Sequence, residues 1–152
     1  GGQAHAAAHP VQDPRLMPDY LARLQEEMRR PPLHRWLGPE AVRADGTEVE
    51  VRLPFRPEFA GGVEPVFVHG GIVATLCDLP GHAAAACAVG RSVPTVTLGV
   101  DYLRPAPGVD LRAVGSLRRL GRSLARVDVE IFAADKLVAL SRTTFAIPEE
   151  RP

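Results

Sequence analysis

One long apolar segment, from Ile72 to Val89, most constrains how this chain can fold. It is rich in alanine, and the pair Gly70-Gly71 separates it from a short strand-like run before it. The segment is long enough to imitate a membrane span. It contains a carboxylate, a proline and a histidine, however, and charge is costly in hydrocarbon. We therefore predict a helix buried at the centre of a globular domain.

The segments around this helix alternate apolar and polar residues and predict strands. Before it we expect an amphipathic helix from Asp19 to Arg30, a loop bearing Leu33, Trp36 and Leu37, a hairpin turning at Asp45-Gly46, and a loop over residues 55–65. After it we expect an antiparallel meander of four strands at residues 95–103, 110–120, 123–133 and 137–147. The predicted class is α+β, an antiparallel sheet wrapped around a long central helix.

Length and composition bound the range of functions. A chain of 152 residues predicts one domain, with residues 1–15 as a loose segment and 16–150 as the domain. Equal numbers of basic and acidic residues argue against nucleic-acid or membrane-surface binding. Cys77 and Cys87 would lie about 15 Å apart on one helix, too far for a disulfide. Free thiols and the absence of a signal-peptide pattern predict a cytoplasmic protein, and no metal-ligand spacing is present.

The start of the predicted helix carries chemistry. Glycines there let a ligand approach the backbone, and free N–H groups at the positive end of the helix dipole would stabilise an oxyanion. Asp78 is the only acid between Pro65 and Gly99. A lone carboxylate in so apolar a segment is costly to bury, which favours a chemical role.

Helix geometry predicts that one chain does not complete this site alone. Gly70 and Asp78 lie about 12 Å apart along the helix axis, whereas a reacting carbonyl needs its oxyanion donor and its base each within about 3 Å. Two antiparallel copies of the helix across a two-fold axis would bring Gly70 of one subunit beside Asp78 of the other. We therefore expect a homodimer with two composite sites.

Residues 69–78, from His69-Gly70-Gly71 to Asp78, together with residues 102–106, Tyr-Leu-Arg-Pro-Ala, resemble the PaaI-like acyl-CoA thioesterases of the hotdog fold. The similarity extends over about residues 46–147. The resemblance implies a six-stranded antiparallel sheet around the helix and a dimer that often pairs into a tetramer. It also implies an acyl-CoA substrate and no cofactor other than the CoA of that substrate.

The resemblance also assigns roles to individual residues. The Gly70 N–H would polarise the thioester carbonyl, and Asp78 from the partner subunit would act as general base on water or as nucleophile. His69 would orient the thioester, and Thr95 would hold the catalytic water.

Two departures from the family pattern bear on activity. Val63 stands where many relatives have an asparagine, and Glu64 is the nearest polar substitute. Pro80 follows Asp78 by two residues inside the helix and is expected to bend it.

A basic turn predicts where the CoA phosphates would bind. Arg118, Arg119 and Arg122, with Ser123, flank the Leu120-Gly121 turn, and guanidinium groups bind phosphate in bidentate fashion. The alternative is a solvated strand end, because arginines are common on exposed sheet faces.

Other readings of the whole chain stay open at this point. Asp78 could be a structural acid at a dimer seam, and the chain could be a non-catalytic acyl-CoA-binding protein of the same fold. A hotdog hydratase or dehydratase is a further alternative, but the helix and its entry loop lack an obvious His–acid pair. The acyl group, and the choice between CoA and acyl-carrier protein, cannot be read from the sequence.

Overall fold

The computed structural model describes residues 18–150. The helices are α1 (Tyr20–Arg29), α2 (Pro32–Leu37) and α3 (Gly70–Val89), with a 3-10 turn at Pro57–Phe59. The strands are β1 (Glu40–Ala44), β2 (Glu48–Leu53), β3 (Ala60–Val63), β4 (Val66–Val68), β5 (Thr95–Tyr102), β6 (Leu111–Leu120), β7 (Leu124–Ala133) and β8 (Lys136–Ala146). The predicted segment at residues 1–15 lies outside the described residues.

Six strands form one antiparallel sheet in the order β1-β2-β6-β7-β8-β5, and β3 and β4 form a separate hairpin. Burial alternates along the central strands, as expected for a sheet with one face on the core. In β7 the buried residues are Ala125, Val127, Val129, Ile131 and Ala133. This face packs on α3, and the predicted hotdog architecture, a six-stranded sheet around a long central helix, is confirmed.

Helix α3 is the centre of the core. Eleven of its 20 residues are buried, and the two buried cysteines are both free thiols, as expected. Burial raises the pKa of Cys77 and of Cys87 to about 11, so both stay protonated at neutral pH. Within residues 18–150, α3 is long and apolar enough to cross a bilayer by length and composition. Its apolar surface is instead used against the sheet of its own chain.

The sheet approaches α3 closely at Pro80. The helix runs through Pro80 without interruption. The Pro80 ring takes the place of an N–H that would bond to the Leu76 carbonyl. Opposite it in β6, a Cβ added to Gly115 would lie 2.9 Å from the Pro80 carbonyl oxygen and 3.2 Å from Val49 Cγ2. A side chain at position 115 would therefore push the sheet away from the helix.

The expected four-strand meander is wrong in one respect. β5 does not start a meander with β6 but crosses to the far edge and pairs with β8. The connection between β5 and β6 carries Pro105 and Pro107, which lack N–H groups, and it is too long for a tight hairpin. β6, β7 and β8 do form the expected meander.

The two predicted loops also contain regular structure. The residues after Pro31 form α2, with Pro32 in the first turn and Gly38 in the left-handed conformation at its end. Only Leu37 of its three large apolar side chains is buried. Residues 55–65 contain the 3-10 turn and β3, and Phe59 in that turn is buried.

The packing at Gly115 gives a stability test. Gly115→Ala should lower the free energy of unfolding by about 1–3 kcal/mol, because the added methyl meets backbone that cannot move aside. Gly99→Ala is the control, since an added Cβ in β5 would lie 3.8 Å from its nearest neighbour, ordinary contact. Urea unfolding of the three proteins measures the difference, and equal stabilities for the two variants would contradict the close approach.

Candidate active site

His69 caps the start of α3. Its Nδ1 accepts a hydrogen bond from the Gly71 N–H (2.8 Å), and its carbonyl accepts from Ile72 (2.9 Å) and Val73 (3.1 Å). The Gly70 N–H is then left without an acceptor among residues 18–150. Since Nδ1 accepts, the neutral ring carries its proton on Nε2, so the exposed edge of His69 is a donor. The helix start therefore offers a free backbone N–H and an imidazole N–H.

The last residue of β5 holds the first residue of α3. Tyr102 Oη donates to the Gly70 carbonyl at 2.7 Å. Desolvation raises the pKa of Tyr102, so the phenol keeps the proton that it donates. Beside this contact lies a mostly apolar cavity of about 410 Å³, whose lining residues include Gly70, Val73, Tyr102, Leu103 and Val138. The free Gly70 N–H thus belongs to a residue that lines an apolar pocket.

The first residue of β5 holds the carboxylate. Thr95 Oγ1 donates to Asp78 Oδ1 at 2.9 Å, and Asp78 is half-buried. No other hydrogen bond or ion pair reaches this carboxylate within residues 18–150, so Oδ2 is available to a ligand. Asp78 and Thr95 line a second cavity, of about 240 Å³, with α1 and α2 residues on its other side.

The two cavities are separate, and no residue lines both. The structure brings Asp78 together with Thr95, and His69 together with Gly70, but it leaves the two pairs about two helical turns apart on α3. β5 connects them, because its first residue contacts Asp78 and its last contacts Gly70. Each chain therefore presents two half-sites at opposite ends of one strand.

That strand is exposed along its length. Seven of the eight β5 residues are exposed and the other is partly buried, although β5 pairs with β8 on one side. The exposed residues include apolar side chains, among them Val96 (55% exposed), Leu98 (37%) and Tyr102 (54%). An edge strand of this length with apolar side chains is a ready template for pairing with another chain.

Glu27 of α1 and Arg30, the residue after that helix, line the Asp78 cavity together with His82 of α3. His82, one turn after Asp78, places Nδ1 3.3 Å from Glu27 Oε2, and Arg30 Nη2 lies 3.0 Å from Glu27 Oε1. The contact with His82 lowers the pKa of Glu27, against burial, which raises it. Glu27 is therefore held ionised in a partly buried position next to the candidate base.

The side chains predicted to bind the CoA phosphates do not all lie together. Arg119, Arg122 and Ser123 line a cavity of about 310 Å³ between β6 and β7, together with Arg126. Within residues 18–150 none of these three arginines makes an ion pair. Arg118 is not among the lining residues, because it is bonded to Asp128 (3.1 Å) on the neighbouring strand.

The predicted assisting residue lies elsewhere. Glu64 is exposed at the tip of the β3–β4 hairpin, next to Val63, and it lines neither the Gly70 nor the Asp78 cavity. Among residues 18–150 no group of three or more side chains is placed to hold a metal ion.

Three residues of the site were not singled out by the sequence analysis for the roles they take. Tyr102 enters the sequence prediction only as part of a motif, and Glu27 and Arg126 do not enter it at all. The signal for Arg126 was present in the strand pattern, since it sits opposite Arg119 across β6 and β7. Glu27 is brought to His82 by tertiary packing of α1 on α3, which no local pattern encodes.

Comparisons with known proteins place this architecture in a family. The sequence profile of the thioesterase superfamily matches residues 67–140, which include the start of α3, Asp78 and all of β5. A solved structure described as a protein from the thioesterase superfamily has a TM-score of 0.82 and 34% identity, over 85% of this chain and 98% of that one. The chain belongs to the thioesterase superfamily, and the resemblance noted in the sequence is confirmed.

Two curated relatives extend the comparison. The medium/long-chain acyl-CoA thioesterase YigI of Salmonella typhimurium is 29% identical over 130 residues, 74% of this chain and 82% of that protein. A protein of Halobacterium salinarum is 36% identical over 101 residues. That match spans 63% of this chain and 66% of the archaeal protein, just under two thirds of its length.

The Glu27 contact predicts a pH dependence of stability. A carboxyl whose pKa is lowered by folding stabilises the protein at pH values above its ordinary pKa of 4.5. This contribution is lost as the pH falls through the lower pKa of the folded state. The stability advantage of the wild type over Glu27→Gln should therefore be largest near neutral pH and shrink below about pH 4.5. Urea unfolding at several pH values measures it.

Glu26→Gln is the matched control for this experiment. Glu26 is on the same helix but is exposed, and within residues 18–150 its side chain makes an ion pair with Arg29 alone. If both variants lose the same stability at every pH, the Glu27–His82 contact does not stabilise the folded protein.

Proposed function

We propose that this protein hydrolyses acyl-CoA thioesters to a free acid and CoA at two sites shared between the subunits of a homodimer. The observation that carries the proposal is the division of the site: a free Gly70 N–H and a half-buried Asp78 carboxylate at opposite ends of the exposed strand β5. Each group has the chemistry for one half of the reaction, and the two lie too far apart in one chain to act together.

Pairing through β5 would complete the site. If two β5 edges pair antiparallel about a two-fold axis, the Thr95 end of one strand lies beside the Tyr102 end of the other. That arrangement would place Asp78 of one subunit near Gly70 of the partner subunit. It would also cover the apolar side chains that β5 exposes and satisfy the unpaired backbone of the edge.

The proposed reaction uses the groups already described. The thioester oxygen would accept the Gly70 N–H, at the positive end of the α3 dipole, and the exposed His69 Nε2–H would help to orient the ester. A water held near Thr95 would attack the carbonyl carbon while Asp78 removes its proton. The tetrahedral intermediate would then expel the CoA thiolate, which recovers a proton from Asp78, and a free carboxylic acid remains.

Two features bear on the substrate. The cavity beside Gly70 is lined mostly by apolar side chains, and this suits an uncharged acyl or pantetheine chain. The cavity lined by Arg119, Arg122, Ser123 and Arg126 is suited to the CoA phosphates, because its guanidinium groups have no acidic partner within the described chain. The similarity to YigI, named as a medium/long-chain acyl-CoA thioesterase, favours an acyl-CoA substrate.

The first test is CoA thiol release from a panel of aryl-, short-, medium- and long-chain acyl-CoAs. Wild type should turn over at least one class, and Asp78→Asn should lower kcat at least about a hundredfold, the loss expected for a positioned base. Asp135→Asn in the β7–β8 turn is the control, since Asp135 has φ 64° and asparagine tolerates that conformation.

Failure of the wild type on every substrate would reject hydrolysis. Acyl-CoA binding measured by calorimetry on the same protein would then test the non-catalytic alternative directly. If turnover is present but insensitive to Asp78→Asn, the reaction runs through another group.

A complementation experiment tests the shared site. Gly70→Pro removes the N–H but fits the helix, because proline is favoured at the first helical position and His69 has a ψ of 135°, compatible with a following proline. Gly70→Pro and Asp78→Asn proteins should each be nearly inactive. After subunit exchange the mixture should recover about a quarter of the wild-type rate, since half of the dimers are mixed and each has one intact site.

Gly70→Ala is the matched control for the proline variant. It keeps the N–H, and its Cβ would lie 3.6 Å from the Tyr102 ring, ordinary contact. It should therefore lose far less activity than Gly70→Pro. A mixture that stays inactive while its subunits exchange would show that one chain holds the whole site.

A further inference from the structure

We propose that His82 is a positioning residue for the proposed reaction: it fixes the connection between α3 and β5 and so holds Thr95 against Asp78. The inference rests on the proposed function for its kinetic consequences, but the contact itself can be measured without substrate. His82 lies one turn after Asp78 on α3. The helix that carries the Asp78 carboxylate therefore also carries the side chain that fixes the position of Thr95, the hydrogen-bond partner of that carboxylate.

The connection is held through its backbone. His82 Nε2 accepts from the Val93 N–H at 3.3 Å and lies 3.3 Å from Ser92 Oγ. The Pro94 carbonyl next to it accepts from the Ala146 N–H at 2.9 Å. β5 begins at Thr95, the following residue, so the hydroxyl that bonds to Asp78 sits just beyond two backbone attachments.

Glu27 faces the other ring nitrogen of His82, with Oε2 3.3 Å from Nδ1. An imidazole nitrogen that accepts a hydrogen bond is unprotonated, so in the neutral ring the proton sits on Nδ1, which faces Glu27. Arg30 pairs with the other oxygen of Glu27 and fixes the carboxylate in turn. A series of side-chain contacts therefore links the end of α1 to the residues just before β5, and it runs through Arg30, Glu27, His82 and Val93.

Both members of the Glu27–His82 pair are partly buried, with 15% and 19% of their side chains exposed. The ring of His82 also packs edge-on against Phe145, with centroids 6.1 Å apart. These contacts on three sides restrict its rotation. A shift of the Val93 backbone by about 1 Å would be passed on to Thr95, and misplacement on that scale is enough to slow a positioned reaction about a hundredfold.

The order Glu27, His82, Ser92 also matches an acid, histidine and nucleophile. The geometry points to anchoring rather than to nucleophilic catalysis by Ser92, because the Val93 N–H uses the same lone pair that would deprotonate the serine. Ser92→Ala distinguishes the two roles, since anchoring needs Val93 and not the serine hydroxyl.

The decisive experiment is a double-mutant cycle in the full chain. His82→Leu and Thr95→Val should each lower kcat about tenfold or more with KM changed less than about twofold, because both act on the placement of Asp78. The double variant should be no slower than Thr95→Val alone, since His82 acts through Thr95. His82→Gln, which keeps an acceptor for Val93, should recover most of the loss.

Two controls separate this role from general packing. Arg23→Met removes another attachment of α1 to α3, the 2.6 Å bond from Arg23 to the Cys87 carbonyl, without touching residues 92–95. It should leave kcat within about twofold of wild type. Losses that multiply in the double variant, or an equal loss in Arg23→Met, would overturn the proposal, as would an acyl-serine adduct on Ser92 that disappears in Ser92→Ala.

Hydrogen exchange supplies the readout that does not depend on activity. The Val93 amide should exchange at least about tenfold faster in His82→Leu than in wild type and Arg23→Met, because its acceptor is gone. An unchanged Val93 exchange rate overturns the His82 contact. Absence of acyl-CoA turnover in wild type, with Val93 exchange still dependent on His82, rejects the proposed function instead.

Discussion

The site depends on how strand β5 is attached to helix α3. Thr95 at one end of the strand bonds to Asp78, and Tyr102 at the other end bonds to the carbonyl of Gly70. Between these two contacts β5 pairs with β8, and no other strand of residues 18–150 covers its second edge. The strand is therefore hydrogen-bonded to the helix at its two ends, through Asp78 and Gly70, and its second edge is exposed between them. Any chain that pairs with it would meet both half-sites at once.

The small residues of α3 make this attachment possible. Ala83, Ala84, Ala85 and Ala86 are all buried, and with no long side chains to separate the layers the sheet can approach the helix backbone closely. The same closeness accounts for Gly115 opposite Pro80. At the edge of this packing the Asp78 carboxylate is half-buried, with Oδ1 bonded to Thr95.

The sequence predicts the helix, the strands and the fold class well, because each rests on local periodicity and on glycine and proline positions. The edge position of β5 could not be predicted in the same way. Its residues alternate like those of any strand, and only the long proline-bearing connection after Tyr102 argues against pairing with β6. The family resemblance gave Thr95 only the role of holding the catalytic water, and its direct hydrogen bond to Asp78 was not predicted. The Glu27–His82 contact was not expected at all, since residues 55 positions apart meet only after α1 docks on α3.

The position of α1 then explains why a helix outside the sheet matters to the proposed chemistry. Glu27 on α1 carries a lowered pKa chiefly because it contacts His82, and its carboxylate lies 3.3 Å from the imidazole Nδ1. His82 in turn holds the backbone just before Thr95. The Gly70 half-site needs no such help, because a helix start presents its N–H groups by its own geometry. A carboxylate on a helix face has no built-in orientation, and here the hydrogen bond from Thr95 at the start of β5 provides it.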